Sequence, residues 1–468
     1  MISTKTVKIK LLQSIFPTFL LLLVISIFLP FFTEAPVSWF TGFCYIIYDS
    51  ILLLYVAIKV SSHLKNTFVT NNIVPKSSLC LLISAKNEKI ILGRCLDRIY
   101  SQTQKPDQII IIDDGSTDGS FQYLQNMLNL KSNGTIWQSV VYENTFVLQK
   151  ENSGKARSLN LALNYVKTDL VMTLDADTFM DPYAVAEVIN EFASNSSLQV
   201  VGGVLEPTCK TSWNGSLFKT FQKFEYIRSF LSRQAWVSSN CLLLVSGAFA
   251  AYKTKTLKLC GGFDPDSFVE DYELTHRIYK YCFENKIPVH VGIAAKAVAI
   301  TDCPDAIGKF LKQRQRWFGG FLQTIYKYRD MVGAVKYANV GKIMLPIKSI
   351  DTLQPLYGLV SLYALAAIFF LDKKLHPIIV TALIFKIILD YVFHFYGLYL
   401  YNQWQGRKVP KLYWIQSALV TLCEPLFFQP LRHIGALLGW VSFLRNKNEW
   451  TAQRDVELYQ VLDDQKVA

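Results

Sequence analysis

The residues from Ile109 to Ser120 read "IIIIDDGSTDGS", an apolar run that ends in two acids and a turn. Four consecutive isoleucines predict a strand that is buried on both faces, as in a parallel sheet covered by helices. Asp113 and Asp114 follow this strand, and a Gly-Ser turn then leads into a helix. The two carboxylates are either an ordinary strand end that caps a helix or part of a ligand site, because ligands of such sheets bind at the carboxyl ends of the strands.

Similar apolar runs and helix-like stretches alternate between residues 78 and 206. The predicted strands include "LCLLIS", "DLVMTLD" and "QVVGGVLE", and the predicted helices include "KIILGRCLDRIYSQ", "SFQYLQNML", "KARSLNLALNYV" and "YAVAEVINEFA". Strands that alternate with helices predict an open α/β domain with a mostly parallel sheet. We therefore expect functional side chains where the strands end.

A second pair of acids follows the predicted strand in "VMTLDADTFMDP". Asp175 and Asp177 lie two residues apart, so both carboxylates can reach one cation from a bent strand end. Mg²⁺ or Mn²⁺ commonly takes one or two carboxylates and completes its shell with water and substrate phosphates. A lone pair of this kind also arises often by chance.

Three further charged residues stand at predicted helix starts. Lys155 begins the helix in "GKARSLNLAL", where the helix dipole favours an anion, so this lysine either has a phosphate or nucleotide partner or is a solvated surface residue. Glu270 and Asp271 are adjacent in "CGGFDPDSFVEDYELTHRI". A carboxylate at this point either caps the helix or takes a proton from an attacking hydroxyl.

The stretch "KQRQRWFGGF", from Lys312 to Phe321, places cations and amides around a tryptophan. Apolar residues from Ile307 to Ile325 recur at helical spacing, with Gln313 and Arg316 largely off that stripe. A basic amphipathic helix of this kind is expected to lie along a membrane surface, which by itself would account for the charges.

Membrane segments are indicated by a hydrophobic content of 51% and a mean hydropathy of +0.23. The predicted spans are 15–33, 37–60, 352–371, 377–400 and 412–444, the last interrupted by Pro425 and Pro430. This last block is either one span or a span plus a re-entrant or interfacial piece. A signal peptide is the alternative for the first. Basic residues near both N-terminal spans place residues 78–330 in the cytoplasm.

The formal charge of +12 suits the cytoplasmic flanks of membrane helices, an anionic surface or phosphorylated substrates. No nucleic-acid module is evident in the sequence. The nine cysteines lack zinc-ligand spacing and a disulfide pattern, as expected for small buried side chains in a reducing compartment.

Ionisable residues also occur inside the predicted spans. Lys386 and Asp390 are one helical turn apart, and Glu424 lies at bilayer depth. Because such groups are costly in lipid, they indicate either a polar pathway or a local ion pair that holds the helices together.

The motifs "SAKNE", "DDGSTD", "KARSLN", "DAD", "GGF", "ED" and "QRQRW" follow one another in the order and approximate spacing of the membrane-embedded family-two glycosyltransferases. Over roughly 78–330 and the flanking spans, the chain resembles the branch that contains cellulose, chitin, hyaluronan and poly-N-acetylglucosamine synthases. The resemblance implies a GT-A-like (Rossmann-like) cytoplasmic domain, a nucleoside-diphosphate sugar donor and inversion at the anomeric carbon.

The resemblance also assigns roles to these residues. Asp271 would be the general base beside Glu270, Trp317 would stack on the acceptor sugar, and Asp177 would hold Mg²⁺ or Mn²⁺ together with Asp175. Contacts to the donor would come from Glu88, Asp113, Asp114, Lys155, Asp175, Gln313 and Arg316. Val269 replaces the usual threonine of the acidic motif, and Lys86 stands where an aromatic residue is common.

We therefore expect an inverting glycosyltransferase that extends a β-linked polysaccharide from a nucleotide sugar, with UDP as the expected nucleotide. Translocation of the polymer through its own membrane segments would accompany synthesis. The alternatives are single addition to a lipid or lipid-linked acceptor, and an inactive transporter or scaffold. The expected location is the bacterial inner membrane, in contact with lipids and not with nucleic acid; accessory subunits stay open.

The expected domain organisation has five parts. These are two N-terminal spans (1–65), the catalytic domain (78–306), interfacial helices (307–340), a C-terminal transmembrane bundle (343–444) and a tail (445–468).

Overall fold

The computed structural model describes residues 25–33, 35–64, 77–372 and 376–445. Most of the first predicted span, residues 15–24, and the tail from residue 446 lie outside the described residues. The ten described strands form one sheet: β1 Leu79–Ala85, β2 Gln108–Asp114, β3 Leu130–Asn133, β4 Ile136–Ser139, β5 Thr145–Lys150, β6 Leu170–Asp175, β7 Thr178–Met180, β8 Leu198–Thr208, β9 Phe249–Lys253 and β10 His290–Asp302.

The main helices flank this sheet and follow it in the chain. They are α1 Phe40–Leu64, α2 Lys89–Tyr100, α3 Ser120–Leu128, α4 Lys155–Leu163, α5 Ala184–Ser194, α6 Trp213–Ser238, α7 Thr254–Leu259, α8 Glu270–Glu284, α9 Ile307–Lys327, α10 Leu345–Asp372, α11 Pro377–Trp404, α12 Lys411–Cys423 and α13 Phe428–Leu444. Short helical turns occupy Leu29–Phe31, Ala35–Ser38, Arg329–Met331, Val335–Tyr337 and Val340–Met344.

The strand order is β3-β4-β5-β2-β1-β6-β9-β8-β10-β7. Strands β2, β1 and β6 are parallel to one another, as predicted. Strand β5, which the sequence pattern did not predict, is parallel to β2, and β8 is parallel to β10. The remaining pairings are antiparallel, so the sheet is more mixed than the sequence pattern predicts. The reason is that β9 lies between β6 and β8 and runs in the opposite direction. In addition, the hairpin β3–β4 extends one edge of the sheet, with β4 antiparallel to β5.

The isoleucines of β2 explain why the sheet is buried on both faces. Ile109 and Ile111 belong to one hydrophobic core, whereas Ile110 and Ile112 belong to the core on the opposite face. Each is at most 1% exposed, and full burial of such a side chain contributes about 1.5–3 kcal/mol. Because β2 and β6 are parallel and both flank β1, their acidic ends lie on the same edge of the sheet.

Within the described residues, three helices are long and apolar enough to cross a membrane: Phe40–Ser62, Val340–Leu371 and Pro377–Trp404. The predicted block 412–444 is instead two shorter helices, α12 and α13. Pro425 lies in the break between them, as predicted, but Pro430 lies inside α13 and interrupts nothing. A proline in the first turn of a helix removes no intrahelical hydrogen bond.

Helix α9 carries the QRQRW stretch and lies directly against α13. A Cβ added at Gly319 would come within 2.9 Å of the Gly439 carbonyl oxygen, and one at Gly439 within 2.5 Å of the Gln315 carbonyl oxygen. On the next face, a Cβ at Gly320 would clash with Val269. The glycines of "WFGGF" therefore let α9 approach both α13 and the start of α8.

The packing of α9 departs from the predicted apolar stripe. Its most buried residues are Phe310, Arg314, Gly319, Gly320 and Thr324. Ile307, which the stripe places inside, is 47% exposed. The two glycines and the buried arginine, rather than the large apolar residues alone, thus define the inner face.

Candidate active site

A cavity of about 1000 Å³ runs from the carboxyl ends of the central strands to helices α1, α11 and α13. It brings Asp177 and Trp317, which are 140 residues apart in the sequence, into one cleft. The predicted site residues that line it are Glu88, Asp114, Lys155, Asp175, Asp177, Glu270, Asp271, Gln313, Arg316 and Trp317. Asp113 does not line it: this side chain is 1% exposed and accepts hydrogen bonds from Ser116.

Asp114 organises the loop that precedes α4. One carboxylate oxygen accepts from the Lys150 ammonium at 2.5 Å and the Ser153 amide at 2.9 Å, and the other accepts from the Gly154 amide at 2.8 Å. Burial alone would raise the pKa of Asp114, but these donors hold it below its ordinary value. Asp114 therefore fixes the start of α4, which carries Lys155, and stays ionised.

Lys155 lies at the centre of the carboxylate cluster. Its Nζ atom is 2.5 Å from Asp175 Oδ1 and 3.4 Å from Glu270 Oε1. Burial opposes the charged ammonium, yet the neighbouring carboxylates outweigh burial and raise the pKa of Lys155. The same lysine, together with Arg316, lowers the pKa of Glu270 against the effect of burial. A fixed cation thus lies between the ends of β6 and α8.

Asp177, unlike Lys155, lies close to charges of its own sign. Burial raises the pKa of its carboxyl, and the nearby charges of Asp175 and Asp302 raise it further. Asp302 was not predicted from the sequence, but the antiparallel pairing of Thr301 with Thr178 brings the two strands together beside Asp177. One oxygen of Asp302 is buried without a hydrogen-bond partner. The site therefore concentrates negative charge that a cation would relieve.

Asp271 is held by the backbone at the start of α8. Its Oδ2 atom accepts from the Gly247 amide at 2.6 Å, and its Oδ1 atom accepts from the Tyr272 amide at 2.8 Å. A side chain at residue 247 would clash with Asp271, which is why only glycine fits there. Burial and the charge of Glu270 raise the pKa of Asp271 above its ordinary value. A raised pKa makes this carboxylate a stronger proton acceptor.

All three residues predicted from the QRQRW helix, Gln313, Arg316 and Trp317, line the cavity. The amide oxygen of Gln313 is buried without a hydrogen-bond partner. Arg314, which sequence reasoning missed, is only 2% exposed, and its guanidinium lies 4.3 Å from the Trp317 ring centroid. The indole is thus supported from behind by a buried cation.

Two family models match this chain. One, described as "Glycosyl transferase family 2", matches residues 80–257, and the other, "Glycosyl transferase family group 2", matches residues 170–400. Together they span the sheet, the carboxylate cluster and the QRQRW helix. The chain belongs to the family 2 glycosyltransferases. It is an enzyme that transfers sugar.

Relatives of this glycosyltransferase include poly-β-1,6-N-acetyl-D-glucosamine synthases of Staphylococcus. A Staphylococcus epidermidis (strain RP62A) synthase is 25% identical over 332 residues, which cover 71% of this chain and 72% of the relative. A second one from S. epidermidis is 26% identical over 60% of this chain and 62% of the relative. One from Staphylococcus aureus (strain COL) is 25% identical over 57% of this chain and 59% of the relative.

A solved structure with a similar fold is a mannosyltransferase from Pyrobaculum calidifontis in complex with GDP-Man and Mn²⁺. It covers 81% of this glycosyltransferase and 97% of its own chain, with 18% identity and a TM-score of 0.51. The similarity confirms the predicted GT-A-like fold.

An ion network links the active site of this glycosyltransferase to its apolar helices. Glu225 accepts from Arg314 at 2.7 Å and lies 3.5 Å from Arg432, whose other nitrogen is 3.1 Å from Glu424. Arg228 also donates to Glu424, at 2.7 Å. The network therefore joins α6, α9, α13 and the α12–α13 turn.

Lys386 and Asp390 contribute to the same cavity from α11. Lys386 pairs with Asp390 and with Asp49 of α1, the latter at 2.9 Å. The local ion pair predicted from the sequence is present and joins α1 to α11, and it lines the cavity.

Removing the acid that balances Arg314 should destabilise the enzyme. Glu225→Gln leaves the buried guanidinium of Arg314 without its carboxylate, so we expect a loss of about 3–5 kcal/mol. The measurement is thermal or chemical unfolding in detergent. Asp266→Asn, which breaks the exposed pair of Arg157 and Asp266 at 3.9 Å, should cost less than about 1 kcal/mol. Equal effects of the two substitutions would argue against a structural role for the network.

Several cavity-lining residues that the sequence pattern did not predict lie on α6. Glu225, Arg228 and Arg233 all line the cavity from this helix. The signal was present in "FEYIRSFLSRQAW", where charged residues recur at intervals of three to five among apolar ones, the pattern of an amphipathic helix.

Proposed function

We propose that this glycosyltransferase is a processive synthase that extends a β-linked polysaccharide from a UDP-sugar. The observation that carries the proposal is the single cavity shared by Asp175, Asp271 and Trp317 with Asp49 and Lys386 of the apolar helices. The names of the staphylococcal relatives support a polymer of N-acetylglucosamine. Inversion at the anomeric carbon follows from in-line attack by the acceptor.

In the proposed reaction, an acceptor hydroxyl oxygen bonds to the anomeric carbon while the bond from that carbon to the diphosphate oxygen breaks. The hydroxyl proton passes to Asp271, and the electron pair leaves with the nucleoside diphosphate. Lys155, Gln313 and Arg316 stabilise the charge that develops on the leaving group, and the Trp317 indole orients the acceptor ring. Glu88 and Asp114 shape the nucleoside end.

The chemistry of the acidic residues fits a divalent ion. Asp175 and Asp177 would hold Mg²⁺ or Mn²⁺, which supplies charge neutralisation for the leaving diphosphate when bound. Asp175, Asp177 and Asp302 line the same cavity, and one oxygen of Asp302 is buried without a hydrogen-bond partner, which supports this fit. Burial and the neighbouring carboxylates also raise the pKa of Asp177. Among the described residues, no three His, Cys, Asp or Glu side chains form a metal cage by themselves. On this proposal the ion completes its shell with the donor phosphates and water.

The second half of the cavity supports translocation of the product. Its lining includes Asp49 of α1 and Lys386, Asp390 and His394 of α11. Polar and charged groups on otherwise apolar helices are expected where a hydrophilic chain passes. On this proposal residues 78–306 and the interfacial helices 307–340 lie at the cytoplasmic face of a bacterial inner membrane. The spans within 1–65 and 343–444 form the channel.

Product length separates this proposal from addition of one sugar to a lipid-linked acceptor. The detergent-purified protein, given UDP-N-acetylglucosamine with Mg²⁺ or Mn²⁺, should release UDP and produce chains of many sugars because the product stays in the cavity between additions. The measurement is UDP release followed by sizing of the product. A product limited to one added sugar would contradict processivity, and no UDP release from any of several UDP-sugars would contradict the donor assignment.

A further inference from the structure

Arg233 of α6 is partly buried, and its side chain lines the catalytic cavity. It makes no hydrogen bond or ion pair with any described residue, and its Nε atom is buried without a partner. A guanidinium carries five N–H donors, and burying a charge without a partner is costly. Such a group is retained when a ligand supplies the missing acceptors.

Arg233 lines the same cavity as Asp271 and Trp317, the residues proposed to act on the acceptor. Burial lowers the pKa of Arg233, and the electrostatic effects of Tyr226 and Asp271 act against that shift. Lys155, in contrast, is in the field of Asp175, Glu270 and Asp271. Arg233 thus shares the cavity with Asp271, the proposed base, whereas Lys155 is paired with Asp175 and Glu270.

The ligand group that Arg233 needs is an oxygen acceptor without a full negative charge. A carboxylate would add a third anion next to Glu270 and Asp271, both of which line the same cavity. An amide carbonyl oxygen accepts strong hydrogen bonds from a guanidinium without that repulsion. Among sugars, this group occurs on N-acyl amino sugars.

We propose that Arg233 determines acceptor specificity by donating hydrogen bonds to the carbonyl oxygen of an N-acyl amino sugar at the growing end. This inference rests on the proposed function. It adds a residue that recognises the acceptor sugar and that lies outside the family motifs. The donor is bound elsewhere, by Lys155, Gln313 and Arg316, so Arg233 is not needed for donor affinity.

The test compares acceptors in the presence of UDP-N-acetylglucosamine. The probes are a β-1,6-linked N-acetylglucosamine pentasaccharide, its de-N-acetylated form, which carries ammonium groups, and a β-1,6-linked glucose pentasaccharide. The wild-type enzyme should prefer the N-acetylated acceptor. Arg233→Met should raise the KM for that acceptor by about 10- to 100-fold and remove the preference, because charged hydrogen bonds are lost.

Two further readouts separate this role from a structural one. The KM for the donor should stay unchanged in Arg233→Met, and the melting temperature should stay the same or rise, because an unpaired buried charge is removed. Arg233→Lys should keep part of the preference. Lys219→Met removes a cation from the same helix outside the cavity lining and should behave as wild type.

The outcomes are distinguishable. If Arg233→Met keeps the preference for the N-acetylated acceptor, or raises only the KM for the donor, the inference about Arg233 is wrong while the proposed function stands. If the wild-type enzyme elongates none of the three acceptors, the proposed function fails and this inference fails with it.

Discussion

Asp271→Asn is expected to lower the turnover of sugar transfer by about 10²- to 10⁴-fold while donor affinity stays unchanged. A sugar hydroxyl is a poor nucleophile at neutral pH, so transfer needs a carboxylate positioned to take its proton. Asparagine keeps the size of the side chain and removes that basicity. Turnover is measured as UDP release with acceptor present, and donor affinity by calorimetry with the UDP-sugar.

The contacts of Asp271 define the control and the pH dependence. Both carboxylate oxygens accept from backbone amides, so asparagine loses one hydrogen bond, which costs about 1 kcal/mol of stability. Because the pKa of Asp271 is raised, wild-type turnover should decrease as the pH is lowered, and this decrease should occur at a pH above the ordinary aspartate pKa of about 4.

The control variant is Glu284→Gln, at the far end of α8, which should retain full turnover. Near-normal turnover of Asp271→Asn would remove this residue from the base role.

The sequence predicted the strands whose apolar residues are consecutive and local. The runs at β1, β2, β6 and β8, and the helices between them, were recognised because their periodicity lies within short windows. Strands β9 and β10 were missed, although "FAAYK" and "HVGIAAKAVAITD" are apolar. Their position in the sheet depends on long-range pairing, which local periodicity does not encode.

The candidate site was also predicted only in part from the sequence. Acids that follow strands, such as Asp114 and Asp175, are recognisable because parallel strands end at one edge. Arg233, Arg314 and Asp302 were missed because their importance depends on neighbours that are distant in the sequence. Arg314 is one of several cations in "KQRQRW", and only the packing of α9 against α6 and α13 shows that this one is buried.

Substitution of Asp177 should weaken binding of the metal ion without lowering the stability of the protein. Asp177→Asn should reduce turnover by about 10²-fold or more at fixed Mn²⁺ concentration, because a lost metal ligand removes several kcal/mol of charge stabilisation. It should also weaken Mn²⁺ binding, measured by electron paramagnetic resonance with UDP present. Chelation of the metal by EDTA should reduce wild-type turnover to a similar level.

The same substitution should not destabilise the metal-free protein. Asp177 is buried close to Asp175 and Asp302, so removing one charge relieves repulsion and the melting temperature should stay the same or rise. Asp302→Asn is the matched variant, since it relieves the same repulsion without removing either proposed metal ligand. It should raise stability similarly while weakening Mn²⁺ binding much less. If both variants weakened Mn²⁺ binding equally, the ion would be held by Asp302 as much as by Asp177, and the assignment of Asp175 and Asp177 as the metal ligands would be incomplete.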